Sequence, residues 1–434
     1  MKSKAAELLA PNSFIELSCP GCYAKKVAIF YDVRDIPVHS VLLLNTREQA
    51  LNYPKGNIAL GFCWSCGFVS NYAFNASMHE YSEKYESSQS FSPTFNSFSN
   101  RLAEFLIDQY SLHNKNIIEI GCGQGEFISL LVQLGANHGI GFDPAYEGSR
   151  SYNIPEIPSS VVAISNGGEG LLNRAHSDSC DGCVTFVSDF YGEKYRTLNT
   201  DFICCKMTLE HIHDASNFIR TVRNSLQIGS EAVVFFQIPE FTRILDELAF
   251  WDIYYEHCSY FSPGSLARLF RSCGFEVRDI WTDYDDQYLM IEAGPNGNGK
   301  ADHPALENDI EDLGNKIDYF SNNYGQKIDA WKGRLNDIRE KGLKAVLWGS
   351  SSKSVAFLTT LKISYNDIEY VVDINPHRQG SYMAGTAQEI VSPEFLQSYK
   401  PDVVIVMNPI YSTEIRNQLE SMGLEPEIIS VNDV

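Results

Sequence analysis

The stretch WDIYYEHCSYFS, residues 251–262, crowds a tryptophan and four tyrosine or phenylalanine rings around an acid, a histidine and a cysteine. Tyr255, Tyr260 and Phe261 read as core or pocket wall. Tyr254, Glu256 and His257 bring a phenol, a carboxylate and an imidazole within reach of one another, which is acid–base equipment. An adjacent acid and imidazole packed among aromatics must be paired or functional. A second segment, MTLEHIHD (207–214), holds Glu210, His211 and His213. It follows a strand-like run, and strand C-terminal ends line the ligand crevice of an open α/β sheet, so His211 is placed to face a cleft. His213 and Asp214 read as helix capping.

NIIEIGCGQGEF (116–127) runs a strand into Gly121, Gly123 and Gly125 and then into a helix, so a ligand can approach the backbone closely. Glu119 stands two positions before the loop, and Asp143 closes the next strand 18 residues past Gly125, placed to take ribose hydroxyls. The spacing is G-x-G-x-G with Glu126 behind it, and no basic residue lies nearby to meet a pyrophosphate. That disfavours NAD or FAD. It suits a nucleoside that lacks phosphate and bears a cationic centre, S-adenosylmethionine (SAM).

Cys19 and Cys22, with Cys63 and Cys66, form two C-x2-C knuckles. Each turns two thiolates toward one ion, and two knuckles complete a tetrahedral zinc site with no open position, hence a structural one.

The elements that must carry these groups follow from hydrophobic patterning. Residues 1–80 show short strand-like runs, expected to form a small zinc-binding domain. From about residue 95 strands and helices alternate, which predicts a mainly parallel, doubly wound α/β sheet over 81–295. AGPNGNGKADHPA opens a linker and charged helix (296–342) that covers a surface rather than forming a coiled coil. Alternation resumes at 343–434, a second, smaller α/β unit. Its loop, Trp348 to Lys353, is a candidate anion site through helix-start N–H groups and Lys353. Asp373 lies 24 residues beyond Gly349, but one glycine is too little for a dinucleotide site.

The 434 residues suit several domains, and 44% hydrophobic with 21% charged residues suits a soluble globular chain. A net charge of −21 argues against nucleic acid. No run approaches a membrane span, and the N-terminus lacks the apolar core of a signal peptide. Eleven cysteines, an odd number with several in strand-like runs, suit a reducing, cytoplasmic setting without disulfide staples.

The glycine loop and Asp143 resemble those of class I SAM-dependent methyltransferases. That resemblance implies that Glu119, Gly121, Gly123, Gly125 and Asp143 hold the cofactor, and that Asp189, within Val187–Phe190, lies beside adenine. The four-cysteine start, the central SAM domain and the C-terminal α/β unit together resemble the TDP-sugar C-methyltransferases of deoxysugar biosynthesis, over nearly the whole chain. The specific motifs are Tyr254-Tyr255-Glu256-His257 and the segment YSEKYESSQSFS. The resemblance implies that Tyr85, with Tyr81 second, contacts substrate, and that His211 matches the family histidine after the fourth strand. The segment YESSQSFSPTF departs from the antibiotic-sugar enzymes and marks a branch with another substrate.

The expected reaction methylates a carbon made acidic by a neighbouring keto group. His257 is the expected base. Glu256 orients it or holds a sugar hydroxyl, and Tyr254, Tyr85 or His211 donates to the enolate oxygen. Expected partners are a small molecule, a nucleotide sugar, bound by a monomer or weak homo-oligomer without nucleic acid or membrane. O- or N-methylation of another small molecule, and a non-catalytic SAM- and zinc-binding scaffold, are the alternatives.

Overall fold

The computed structural model describes residues 17–78, 85–146, 182–226, 230–295 and 305–434, with the backbone of 162–165. Tyr81 lies outside these.

Near the N-terminus, β1 (Val27–Pro37), β2 (Lys55–Cys63) and β3 (Val69–Asn71) form an antiparallel sheet. Its fourth strand comes from far along the chain. β10 (Ser259–Tyr260) pairs antiparallel with β3, Ser259 opposite Ser70 and Tyr260 opposite Val69. The aromatic stretch thus completes the sheet that carries the cysteine knuckles, and the first sheet is not confined to residues 1–80.

The central sheet holds eight strands in the order β11-β12-β9-β8-β4-β5-β7-β6. They are β4 (Asn116–Ile120), β5 (His138–Phe142), β6 (Val162–Ser165), β7 (Val184–Ser188), β8 (Phe202–Lys206), β9 (Val233–Pro239), β11 (Glu276–Asp283) and β12 (Tyr288–Gly294). From β6 to β9 the pairing is parallel. β4, β8 and β9 bury almost every side chain, as strands covered on both faces must. β12 runs antiparallel between β9 and β11, a hairpin that alternation alone did not indicate. The chain goes from β4 to β5 on one side and later to β8 on the other, so a ligand crevice opens at their C-terminal ends.

The C-terminal sheet, β15-β14-β13-β16-β17, is parallel throughout. Its strands are β13 (Ala345–Trp348), β14 (Tyr370–Val372), β15 (Glu389–Val391), β16 (Val403–Val406) and β17 (Glu427–Ser430). It too reverses beside its first strand, β13.

The charged segment is one helix, Ile310–Glu340. Its sparse apolar positions explain its path. Phe320 meets Phe30 of β1 edge-on, and Trp331 meets Phe357 while donating its indole N–H to the Val431 carbonyl at 3.2 Å. One apolar cluster therefore runs from β1 through this helix into the C-terminal sheet. No helix among the described residues is long and apolar enough to cross a membrane. Among the described residues nine cysteines are free, but Cys183 is disulfide-bonded, so the expectation of a chain without disulfides does not hold there.

Candidate functional site

Two cavities open at the strand ends. One, about 440 Å³, is walled by Glu119, Gly121, Gly123, Glu126, Asp143 and Asp189, among others. Gly121 adopts φ +71°, and a Cβ there would sit 2.0 Å from the Thr208 hydroxyl, so only glycine lets the β4 and β8 loops meet. Gly125, expected to hold cofactor, does not wall the cavity. At φ +89° it starts the helix Glu126–Gly135, and a Cβ would strike the Phe186 ring at 2.2 Å. Its part is in packing the turn.

Asp143 accepts hydrogen bonds from the N–H of Gly123 (2.9 Å) and of Ala145 (2.8 Å), which ties the end of β5 to the glycine loop. Burial pushes its carboxyl up to about 6 despite those bonds. Glu119 accepts from the Ile128 N–H inside the helix start. Burial raises its carboxyl to about 8, while Lys206 pulls the other way. Lys206, at the end of β8, lies over the Phe127 ring and is pushed down to about 8 by the same burial. Asp189 is committed to Lys194 and to the Tyr195 hydroxyl (2.7 Å), and the neighbouring Phe190 ring stands exposed in the cavity wall.

The second cavity, about 310 Å³, lies between the central and C-terminal sheets. Glu210, His211, Tyr254 and His257 wall it from one side, and the loops after β13, β14 and β16 from the other. Six residues wall both cavities: Tyr85, Ser87, Ser88, Gln89, Met207 and His211. Tyr85 is fixed by a bridge to Leu42.

The rings of His211 and His257 lie 4.8 Å apart and nearly perpendicular, and Tyr254 lies 4.2 Å from His257. Tyr255, Tyr260 and Phe261 are core, with the Tyr255 hydroxyl accepting from the Asn75 N–H at 2.8 Å. Asp214 caps the helix Ala215–Ser225, and His213 stacks on Phe74.

Glu256 departs from expectation. Its side chain turns away from His257 and the cavity, accepting from the Ser40 N–H (3.1 Å) and from Nδ1 of His39 (3.3 Å). Burial alone would raise its carboxyl, but the bond and charge of His39, with His211 and Ser40, hold it below the ordinary carboxylate range. Only its carbonyl reaches the site, accepting from Nδ1 of His211 at 3.1 Å. The acid nearest His257 is Glu210 instead, with Oε1 4.0 Å from Nε2.

The loop from Trp348 to Lys353 walls the cavity, but part of its donor set is taken. Lys353 pairs with Asp252 at 2.7 Å, as does Arg243, and Asp373 accepts from the N–H (2.9 Å) and hydroxyl of Ser350. The lysine charge expected to serve an anion there is neutralised internally. Sequence reasoning missed His39 and Asp252, whose partners Glu256 and Lys353 are distant in the chain, and Arg243, which pairs with the nearer Glu247 and Asp252. It noticed Glu210 beside His211 but gave it no role.

Away from the cavities, the four Sγ atoms of Cys19, Cys22, Cys63 and Cys66 lie within 4.8 Å of one another. Cys19 to Cys66 and Cys22 to Cys63 are both 3.6 Å. Tetrahedral zinc with bonds of about 2.3 Å sets sulfurs about 3.8 Å apart, so the residues fit that ion.

Residues 95–280 match a methyltransferase domain family, and residues 311–425 match the C-methyltransferase C-terminal domain family. The C-methyltransferase NovU of Streptomyces niveus is 24% identical over 355 residues, 76% of this chain and 77% of that protein. Among solved structures, magnesium protoporphyrin IX methyltransferase from Synechocystis PCC 6803 is 13% identical, covering 48% of this chain and 85% of its own at a TM-score of 0.31. A SAM-dependent methyltransferase from Mesorhizobium loti is 14% identical, covering 44% and 97% at 0.28.

Proposed function

The chain is a SAM-dependent methyltransferase of class I fold with a C-methyltransferase C-terminal domain, and from that premise we propose that it methylates a carbon beside the keto group of a nucleotide-activated deoxysugar. The observation that carries this reading is the set of His257, Tyr254, His211 and Tyr85 in the wall of the smaller cavity, of which His211 and Tyr85 also wall the larger one.

The larger cavity takes the cofactor, whose sulfonium supplies an electrophilic methyl group when bound. Asp143 receives the ribose hydroxyls, Gly121 and Gly123 let the methionine part approach, and Phe190 offers its ring to the adenine. The smaller cavity takes the keto-sugar. His257 removes the acidic proton beside the keto group. His211 must donate from Nδ1, because a carbonyl oxygen can only accept, and this fixes Nε2 as its other, unprotonated nitrogen when neutral. Tyr85 and Tyr254 wall the cavity, and burial holds the Tyr254 phenol well above its usual range. Both are donors to the sugar.

The four cysteines hold a structural zinc, and the metal takes no part in the chemistry.

The test is incubation with SAM and a TDP-linked 4-keto-6-deoxyhexose, followed by mass spectrometry and proton NMR of the product. A methyl group on a ring carbon supports the reading. A methyl on oxygen, or none across a panel of such sugars, overturns it.

A further inference from the structure

Glu210 is 1% exposed, yet it walls the smaller cavity between His211 and His257. Among the described residues neither of its carboxyl oxygens has a hydrogen-bond partner. Its backbone is held firmly, since its carbonyl accepts the Cys258 N–H at 3.0 Å. A buried carboxyl aimed into a cavity with nothing bonded to it is costly unless the cavity's occupant completes it.

We propose that Glu210 is a catalytic hydrogen-bond donor, a neutral carboxylic acid whose O–H meets the keto oxygen of the substrate while His257 works on the adjacent carbon. The role rests on the enolate reading above. As the C–H bond breaks, its electron pair forms the carbon–carbon double bond and the carbonyl π pair moves onto oxygen. The proton goes to His257, and the acid shares its own proton with the new oxyanion without losing it. Imidazolium and enolate balance in charge.

The surroundings keep the acid neutral. The ionisable groups facing it are His211, whose ring nitrogen lies with that of His257 within 4.8 Å of the carboxyl, His257 and Tyr254 from the 250–258 segment, Cys205 of β8, Cys258, and Tyr288 of β12. The cations that wall the cavity are engaged elsewhere: Arg243 and Lys353 with Asp252 and Glu247, and Arg378 with Asp373 and the carbonyls of Glu86 and Ser350. Burial therefore pushes the Glu210 carboxyl up to about 8. The 4.0 Å approach to His257 is an ion pair only when the imidazole is protonated, and it is too long for a hydrogen bond. The resting acid is therefore neutral, and an apolar site that holds a carboxylic acid neutral turns it into a donor.

The experiment follows deuterium entry beside the keto group of a TDP-linked 4-keto-6-deoxyhexose in D₂O. It uses the full chain with S-adenosylhomocysteine bound, and thermal melts report folding. Glu210→Gln keeps a neutral donor and is expected to exchange within about tenfold of the unaltered protein. Glu210→Ala is expected to lose about 10²–10³-fold, the usual cost of removing one oxyanion donor. Exchange by the unaltered protein should fall above about pH 8 as the acid ionises, and the Gln variant should lack that fall. A Gln variant as slow as Ala, or a shared fall in both proteins, overturns the donor role while leaving the enolate reading standing. Where the Ala variant does not fold, the comparison of Gln with the unaltered protein decides alone. Absence of exchange in the unaltered protein removes the enolate, and the donor role with it.

Discussion

His211 donates its Nδ1–H to the main-chain carbonyl of Glu256 across 3.1 Å, so the residue whose carboxylate was expected in the site contributes its backbone instead. The carboxylate faces the other way, toward His39 and Ser40. The turn that carries Tyr254, Glu256 and His257 is thereby clamped from the loop that follows β1.

The clamp predicts the effect of His39→Ala. The Glu256 carboxylate would keep the Ser40 N–H but lose its imidazole partner while remaining buried, at a cost of about 1–3 kcal/mol in thermal unfolding. Because the turn also carries His257, the turnover rate should fall while SAM affinity measured by calorimetry stays unchanged. An unchanged turnover rate would remove the positioning role.

His257→Ala is expected to lower methyl transfer by about 10²–10⁴-fold, the usual worth of a positioned base. Deuterium entry beside the keto group should fall by the same factor. Exchange that persists while transfer is lost would move the base to another residue.

SAM affinity should depend on pH through Asp143. Its carboxyl, pushed up to about 6 by burial, accepts ribose hydroxyls more strongly when ionised than when protonated. The dissociation constant should therefore rise as pH falls through about 6, and Asp143→Asn should bind weakly at every pH. The stability effect has a definite sign. A folded-state value above the ordinary one means the protonated form is favoured in the fold, so this group's contribution is fully present below its ordinary range and is lost as pH climbs to about 6.

The purified chain is expected to carry one zinc, measured by atomic emission, and to lose it on Cys22→Ser. Since β10 begins two residues after His257 and pairs with β3, metal loss should lower the melting temperature and the turnover rate together. Lower stability with intact turnover would separate the knuckles from the site.

Much of the cofactor side was legible in the sequence, because its determinants are local. A strand, a glycine turn, a helix and an acid one strand later lie within 30 residues, and Gly121 is demanded by backbone geometry that no other residue tolerates. The cysteine spacing was equally local. What stayed hidden was long-range pairing. Glu256 finds His39, 217 residues away, and Lys353 finds Asp252, 101 away. Those pairs reverse the expected roles of an orienting carboxylate and an anion-binding lysine. The β10 pairing involves only two residues, too few for any periodicity to announce.

Ser87, Ser88 and Gln89 wall both cavities, along with Tyr85, Met207 and His211. A ligand that orders this partition in one chamber has already covered part of the entropy needed to fill the other. The two binding equilibria are then thermodynamically linked, and reciprocity demands that the factor by which cofactor tightens sugar equal the factor by which sugar tightens cofactor.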